Sequence, residues 1–352
     1  MKKDHRHTTL YRQYRPASFA EVRGQEHVVS VLEKAIKNKK PAHAYLFSGG
    51  RGTGKTSVAR ILARSLGVSD KDLYEMDAAS NRGIDDIREL RESVYAMPFD
   101  SPYKLYIIDE AHMLTKEAWN ALLKTLEEPP AHAIFVLATT EREKVPETIQ
   151  SRCEVYTFKQ PTRETLTQIA TDVAKSEGYT LEKPAAELIA LLSEGSFRDA
   201  LSILQKVFSC TESKKVDALI VESVSLAPKG EMVRNIVGAL AQKDASAALG
   251  HVREAIEHNV DARTLSKLLI HRLRAVLLVR FAPDLAEKLM QELTEADAAV
   301  VQEAAKNPTI NSDTLRTFLQ AHSTMAYSAV PYLPLELAIV DTCGEKQPTL
   351  TV

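Results

Sequence analysis

The chain has 352 residues, a length that suits two or three domains better than one. Hydrophobic residues make up 44% of it and charged residues 26%, as in an ordinary soluble globular protein, and the net charge of −2 excludes a chain that is basic throughout. Any contact with nucleic acid would therefore depend on a local positive surface.

The cysteine spacing, the polar N-terminus and the lack of a long apolar run indicate a reducing compartment and no membrane insertion. Cys153, Cys210 and Cys343 form no C-x-x-C pair, which argues against a disulfide framework and a cysteine zinc site. Reduced thiols are typical of the cytoplasm, where we expect the protein. Neither a membrane helix nor the apolar segment of a signal peptide is predicted. His5 and His7 could bind metal, but a solvated tail is the preferred interpretation.

The first half of the chain alternates short apolar runs with amphipathic stretches. This alternation predicts βαβ units and a parallel sheet whose strands are buried on both faces. Strands are expected at Ala44–Phe47, Leu73–Met76, Leu105–Ile108 and Ile134–Ala138, with helices near Ser57–Leu66, Ile84–Tyr95 and Lys116–Leu126.

After about Pro161 the pattern is helical almost throughout. Polar breaks near Thr211–Lys215 and Pro228–Gly230 indicate a further boundary, and Gly344–Val352 is predicted to be a frayed tail. We therefore predict an α/β domain at residues 1–160, a helical domain at 161–222 and a second helical domain at 223–352. Helices are expected at Arg163–Glu177, Pro184–Ser193 and Phe197–Phe208, with later turns at Pro283, Pro308 and Pro331.

A phosphate-binding loop is predicted between the first strand and the helix that follows it. Residues 49–56 match G-x-x-x-x-G-K-[ST], and the flanking strand and helix are the context that this motif requires. The glycines let backbone N–H groups surround phosphates, and the helix N-terminus adds its positive dipole end. Lys55 would pair with the β and γ phosphates of ATP, and Thr56 would ligate Mg²⁺. A glycine-rich turn with a chance lysine is the weaker alternative.

Two further strand ends carry residues suited to phosphate chemistry. The strand before Asp109 and Glu110 is buried; Asp109 would hold the Mg²⁺ shell and Glu110 would act as general base on water. The alternative is that both carboxylates only cap the next helix. Thr139 and Thr140 end the next strand, where a polar side chain would lie beside the γ-phosphate.

Together these motifs resemble the gamma/tau family of bacterial DNA polymerase III clamp-loader subunits, which are AAA+ ATPases. The resemblance covers roughly residues 10–210, and the helical region after about residue 225 resembles the family's oligomerisation collar more loosely. It is carried by the phosphate loop, the Asp-Glu strand and the segments Tyr11–Pro16, Phe19, Gly24–Glu26, His43–Gly49, Asp77–Gly83 and Ala121–Pro130.

The resemblance implies an AAA+ α/β P-loop domain, with helices on both faces of a parallel sheet, followed by an all-α lid and an all-α collar. It implies that Arg152 is an arginine finger acting on the ATP of an adjacent subunit, that Arg198 is the lid arginine, and that Thr140 is the sensor 1 residue. The nucleotide pocket that it implies comprises Tyr11, Arg15, Pro16, Val22, Gly49, Gly50, Gly52, Thr53, Gly54, Lys55, Thr56, Ser57 and Arg198.

The implied function is that of an ATPase motor, without a polymerase active site, that loads a sliding clamp onto primed DNA. Its implied partners are delta- and delta-prime-type subunits and further copies of itself in a pentameric ring. Arg82, Arg88 and Lys124 match positions that face the central channel, where contacts with the DNA backbone would be salt-sensitive. Ordinary surface charge is the alternative for these three residues.

The sequence departs from the family pattern in two places. Only ten residues separate Leu66 from Asp77, and none is cysteine, whereas the family usually carries a four-cysteine zinc module there. We therefore expect no zinc. The sequence also stops just after the expected collar, so it resembles either the short gamma form or a truncated piece of a tau-type protein.

Two other functions remain open at this point. The segment from Asp109 to His112 superficially resembles a helicase box, which leaves another AAA+ motor, such as a branch-migration helicase, as an alternative. The second is a scaffold that binds nucleotide without hydrolysing it. Glu110 argues against a scaffold because pure binding needs no base, and intact Lys55 and Thr56 argue against a delta-prime-type subunit.

Overall fold

The computed structural model describes residues 9–344 except 212, 226, 227, 292 and 294, and omits the side chains of 288, 289 and 291. The described chain divides into two compact units. The first contains residues 9–173 and Ser193–Gln205, and the second contains Ala174–Leu192 and the residues from Lys206 onward. His5, His7 and all but the first residue of the predicted C-terminal tail lie outside the described residues. The predicted three-domain boundaries stay a prediction.

The first unit contains a five-stranded parallel sheet in the order β2-β3-β4-β1-β5. Because all five strands are parallel, their carboxyl ends share one edge, and the loops that leave this edge can form a common site. The strands are β1 (Ala44–Gly49), β2 (Leu73–Asp77), β3 (Lys104–Asp109), β4 (Ala133–Thr139) and β5 (Glu154–Phe158).

Side chains of the central strands alternate between two apolar cores. In β1, Tyr45 and Phe47 pack with Leu62 on one face of the sheet, whereas Leu46 packs with Trp119 on the other. This is the arrangement predicted for strands covered on both faces. The prediction is wrong for β2, whose side chains are half-buried or exposed, because β2 lies at the edge of the sheet.

The predicted helices of the first 210 residues are present, with ends shifted by one or two residues. α3 begins at Lys55, directly after the phosphate loop, and Thr115 caps the start of α5 by accepting the N–H of Ala118 at 3.2 Å. The helices are α1 (Leu10–Gln13), α2 (Glu26–Lys37), α3 (Lys55–Ser65), α4 (Ile84–Val94), α5 (Lys116–Glu127), α6 (Glu147–Gln150), α7 (Arg163–Ser176), α8 (Lys183–Leu192) and α9 (Phe197–Cys210).

Beyond α9, the residues that the structure describes are helical, as predicted, apart from turns and one short strand. This strand, β7 (Lys215–Val216), pairs with β6 (Thr180–Leu181). Helices between Met232 and Ile339 share one apolar core that includes Leu269, Leu273 and Phe318. Among the described residues, no helix combines the length and the apolar character needed to cross a membrane. The remaining helices are α10 (Ala218–Ser225), α11 (Gly230–Ala241), α12 (Ala245–Glu257), α13 (Ala262–Phe281), α14 (Pro283–Gln291), α15 (Glu295–Lys306), α16 (Ser312–Thr324) and α17 (Leu333–Cys343).

Candidate nucleotide site

The predicted phosphate loop connects β1 to α3 and depends on glycine at two tightly packed positions. Gly49 (φ +147°) lies against the carbonyl of Phe158, and a Cβ at this position would overlap that oxygen. Gly52 (φ +69°) lies against the side chain of Ser196 in the same way. Both positions therefore need glycine for conformation and for space. Gly54 also has a positive φ of 101° and precedes the first turn of α3.

Lys55 lies inside the loop. Its Nζ donates to the carbonyl oxygens of Gly49 and Gly50, each at 2.8 Å. Burial lowers the pKa of Lys55, whereas the nearby carboxylates of Glu110 and Asp109 favour its charged form. Thr53 is buried beside it and donates its hydroxyl proton to the Gly50 carbonyl at 2.9 Å. The loop thus surrounds the Lys55 ammonium group with carbonyl oxygens. Ser57, in the first turn of α3, is half-buried.

Thr56 and Asp109 come together across the edge of the sheet. The Thr56 hydroxyl donates to Asp109 Oδ2 at 2.7 Å, although the two residues are 53 positions apart in the chain. A hydroxyl and a carboxylate are suitable oxygen ligands for Mg²⁺, which usually takes its remaining ligands from water and substrate phosphates. Among the described residues, no group of three or more His, Cys, Asp or Glu side chains could hold a metal. The Thr56 hydroxyl and the Asp109 carboxylate fit Mg²⁺ bound together with a nucleotide, whose phosphates would supply further oxygen ligands.

Glu110 and Thr140 are also in contact. Glu110 follows β3 with a left-handed backbone (φ 47°), and its side chain is 34% exposed. The Thr140 hydroxyl, one residue after β4, donates to Glu110 Oε2 at 3.2 Å. Since β4 lies between β1 and β3, Thr140 follows the strand that separates the phosphate loop from the Asp-Glu pair. A partly exposed carboxylate with a fixed hydroxyl beside it is suited to orienting water.

The predicted lid arginine lies close to the N-terminal segment. The backbone N–H of Phe197 donates to the Gly52 carbonyl at 3.0 Å, which joins the start of α9 to the phosphate loop. The guanidinium of Arg198 then lies 5.6 Å from the centre of the Tyr11 ring, a cation–π distance. Burial lowers the pKa of Arg15 and the positive charges of Arg60 and Arg198 lower it further, whereas Glu75, which pairs with Arg60, raises it. The positive charges of Arg15 and Arg198 fit a polyanionic ligand.

The other predicted pocket residues lie along the same N-terminal segment. Pro16 and Val22 are half-buried, and Val22 packs against the apolar core that contains Phe19 and Phe158. Sequence reasoning did not assign a role to Gln25, which is buried between the loop and β5. Its side-chain amide donates to the Lys159 carbonyl at 2.7 Å and accepts the Lys159 N–H at 3.1 Å. The only sequence signal for it was its place in a family segment.

Arg152 lies with a different set of residues. Its guanidinium donates to Glu127 Oε1 at 2.6 Å and to the Thr148 carbonyl at 2.6 Å. These partners belong to α5 and α6, and neither is a residue of the phosphate loop. The structure thus brings Lys55 and Asp109 into one site but places the contacts of Arg152 outside it.

The residues predicted to contact DNA are exposed. Arg82 precedes α4, Arg88 lies on α4 and Lys124 lies on α5, which packs against α4. Arg88 forms a 3.0 Å ion pair with Asp85, so part of its charge is compensated within the chain. Exposure leaves these cations accessible to a polyanion but does not distinguish them from ordinary surface charge.

Known proteins of one family resemble this chain over most of its length. A family model described as "DNA polymerase III, delta subunit" matches residues 24–81 and 68–162. The DNA polymerase III subunit tau of Bacillus subtilis is 37% identical over 359 aligned residues, which cover 95% of this chain. The gamma/tau subunit of Mycobacterium tuberculosis is 40% identical over 79% of the chain, and the tau subunit of Escherichia coli is 35% identical over 78%.

The matched regions cover only part of these relatives, namely 63%, 52% and 46% of their respective lengths. Among solved structures, the Holliday junction branch migration motor RuvB of Thermotoga maritima superposes with a TM-score of 0.52 at 24% identity. The superposition covers 64% of this chain and 79% of that one. This likeness concerns the fold, and it agrees with the predicted AAA+ α/β architecture followed by helices. The sequence relatives go further: the chain belongs to the DNA polymerase III gamma/tau family.

Proposed function

We propose that this chain is the ATPase motor subunit of a DNA polymerase III clamp loader. It would use ATP binding and hydrolysis to load a sliding clamp onto primed DNA. The observation that carries the proposal is the pairing of Thr56 with Asp109 and of Thr140 with Glu110, beside a complete phosphate loop. The names of the relatives, all subunits of DNA polymerase III, support the replication setting.

The proposed chemistry is transfer of the γ-phosphoryl group of ATP to water. Backbone N–H groups of the loop and Lys55 bind the phosphates, and Mg²⁺ held by Thr56 and Asp109 would neutralise their charge. Glu110 accepts the proton of the attacking water, while the bond from phosphorus to the ADP oxygen breaks. Thr140 holds the Glu110 carboxylate in place. Catalysis then depends on positioning and electrostatic stabilisation and needs no covalent intermediate.

Arg152 is proposed to act on the ATP of a neighbouring subunit. Its partners Glu127 and Thr148 lie outside the phosphate loop, which favours a role in trans over one at the chain's own nucleotide. Arg198 is proposed to contact the γ-phosphate of the same chain from the start of α9. An arginine supplied across an interface would make hydrolysis depend on assembly.

The proposed assembly is a pentameric ring with delta- and delta-prime-type subunits and further copies of this chain. Arg82, Arg88 and Lys124 are proposed to contact the backbone of primed DNA in its channel, where binding would weaken steeply with salt. The absence of zinc and the cytoplasmic location remain predictions.

The test is ATP turnover by this chain reconstituted with its cognate delta-type subunits, with and without clamp and primed DNA. Wild type is compared with Arg152→Ala, and Arg64→Ala, at an exposed arginine of α3, serves as the matched control. We expect clamp and primer to stimulate turnover, and Arg152→Ala to reduce the stimulated kcat by about 10³-fold or more. ATP affinity should change less than about twofold, because each neighbour keeps its own loop.

Either of two results would contradict the proposal. Turnover that is indifferent to clamp and primer would favour another AAA+ motor. Stimulation that survives Arg152→Ala would exclude the trans arginine mechanism.

A further inference from the structure

The proposed chemistry does not use His112, which lies two positions after Glu110 and has a buried side chain. It lies in the short 3-10 turn Ala111–Met113, and its side chain is only 6% exposed. Its Nδ1 is 3.0 Å from Thr139 Oγ1 and 3.6 Å from Glu110 Oε2. On the other side of the ring, Nε2 is 3.2 Å from Glu141 Oε1. The imidazole therefore lies between two carboxylates and beside the end of β4.

Both ring nitrogens of His112 have polar neighbours. A hydrogen bond from Lys144 lowers the pKa of Glu141, so this carboxylate stays ionised and can accept hydrogen bonds but not donate one. A hydrogen on Nε2 would face this carboxylate, because Nε2 lies 3.2 Å from Glu141 Oε1. In the neutral tautomer with its hydrogen on Nε2, Nδ1 would accept from the Thr139 hydroxyl, 3.0 Å away. Thr139 Oγ1 also accepts the backbone N–H of Glu141 at 3.0 Å, which closes the network.

The Glu110 carboxylate is the group in this network that needs external support. Its backbone is in the left-handed region, a conformation that non-glycine residues rarely adopt. The backbone N–H of Met113 donates to the Glu110 carbonyl at 2.9 Å and holds the main chain. On Oε2, however, the described contacts are the Thr140 hydroxyl at 3.2 Å and the edge of the His112 ring at 3.6 Å. The ring is thus positioned to limit rotation of the carboxylate.

We propose that His112 is a positioning residue that holds the Glu110 carboxylate against Thr140, with Glu141 as the fixed anchor on the opposite side of the ring. This inference rests on the proposed role of Glu110 as general base. Glu141 is a suitable anchor because Lys144 Nζ binds its other oxygen at 2.7 Å and its backbone N–H is bonded to Thr139. His112 touches neither nucleotide nor water in this scheme, so its effect should fall on kcat.

Two substitutions test the contacts of the two ring nitrogens separately. The amide of Asn can take the place of Nδ1, beside Thr139 and Glu110, but is too short to reach Glu141. The side chain of Gln is longer and can place its amide at the position of Nε2. It would then keep the contact with Glu141 but lose the contacts with Thr139 and Glu110. If the Nδ1 half of the ring confines the base, kcat should fall in the order wild type, His112→Asn, His112→Gln, His112→Ala.

The experiment uses the same reconstituted assembly and measures kcat, KM and ATP affinity. His112→Ala should lower kcat by about 10- to 100-fold, the scale expected when a reacting group is misplaced by about 1 Å. ATP affinity should stay within about twofold, which also shows that the variant is folded. The control is Glu143→Ala, at an exposed carboxylate two positions beyond Glu141, which should behave like wild type.

A double-mutant cycle with Glu110→Gln separates this inference from the proposed function. Once the base is removed, His112→Ala should cause almost no further loss in single-turnover hydrolysis, because the residue it positions is gone. Full additivity, wild-type kcat in His112→Ala, or better retention in His112→Gln than in His112→Asn would overturn the inference alone. If Glu110→Gln itself retained turnover, the proposed base would fail, and the role of His112 would fail with it.

Discussion

Gly52→Ala tests whether the phosphate loop is held by direct packing against the start of α9. Gly52 has a φ of +69°, and an added Cβ would overlap Ser196 Oγ and lie 2.9 Å from Ser196 Cβ. Its carbonyl also accepts the N–H of Phe197 at 3.0 Å, so the loop and the helix start cannot separate without losing this hydrogen bond. The substitution should therefore disturb stability and nucleotide binding together.

The expected loss of stability has two parts. A non-glycine residue in the left-handed region costs about 1–2 kcal/mol. Forcing extra atoms into a packed contact costs about 1–3 kcal/mol, so the free energy of unfolding should fall by about 2–5 kcal/mol in total. If displacement of the loop costs the bound state about 1.4 kcal/mol, ATP affinity should also fall about tenfold.

The assay is denaturant unfolding together with ATP titration. Gly24→Ala is the matched control, because Gly24 has a similar φ of +74° but no atom lies within 4 Å of its added Cβ. It should show only the backbone cost of about 1–2 kcal/mol. Adding Ser196→Gly to Gly52→Ala should restore the packing part of the loss but not the backbone part. The reasoning is refuted if Gly52→Ala is no worse than Gly24→Ala, or if Ser196→Gly restores nothing.

Three further substitutions test other contacts. Arg280→Met should lower the free energy of unfolding by about 2–4 kcal/mol in denaturant titration, because the guanidinium donates to the Ala305 carbonyl in the last turn of α15 at 2.8 Å and to the Ile310 carbonyl after it. Arg316→Met, at an exposed arginine, should change it by less than about 0.5 kcal/mol. Burial would raise the pKa of Asp72, but the N–H groups of Phe99 and Asp100 and the hydroxyls of Ser101 and Ser69 outweigh it and lower this pKa from 3.8 to about 2. Folding thus favours the ionised form, so wild type should lose stability as the pH falls from 3.8 to about 2, whereas Asp72→Asn should lack this loss. The measurement is the free energy of unfolding at several pH values, and the same pH dependence in both proteins would contradict the prediction. Thr140→Val should lower kcat about tenfold in the reconstituted ATPase assay, since a hydrogen bond to a charged group contributes about 1.5 kcal/mol, whereas Thr140→Ser should not.

The sheet and the phosphate loop could be predicted from the sequence because both depend on local pattern. The apolar run before Gly49 and the glycine spacing after it are sufficient to predict a strand, a loop and a helix. Burial of β2 could not be predicted in this way. Its run resembles that of β3, but β2 is half exposed because it pairs on one side only, and strand order is a long-range property.

The contacts that support the site also fall into two groups: those that local motifs predict and those that depend on the three-dimensional fold. The pairing of Thr56 with Asp109 was predictable because two motifs with known geometry each supply one partner. Gln25 binds Lys159 across 134 positions, and neither residue lies in a motif that would predict the other. His112 stood in the sequence only as part of a helicase-like box. Its contacts with Glu110 and Glu141 depend on how the ends of β3 and β4 approach each other.

Strand order also explains why Asp109, and not Asp77, contributes its carboxylate to the site. Both β2 and β3 end in aspartate, and Asp77 and Asp109 are partners in the register of the parallel pair. Asp77, on the edge strand, uses its carboxylate locally and accepts the N–H of Ala79 at 2.9 Å. Asp109 lies one strand closer to β1 and reaches Thr56 at the start of α3. A residue that ends a strand thus gains its role from that strand's distance to the phosphate loop, which the chain order of the motifs does not reveal.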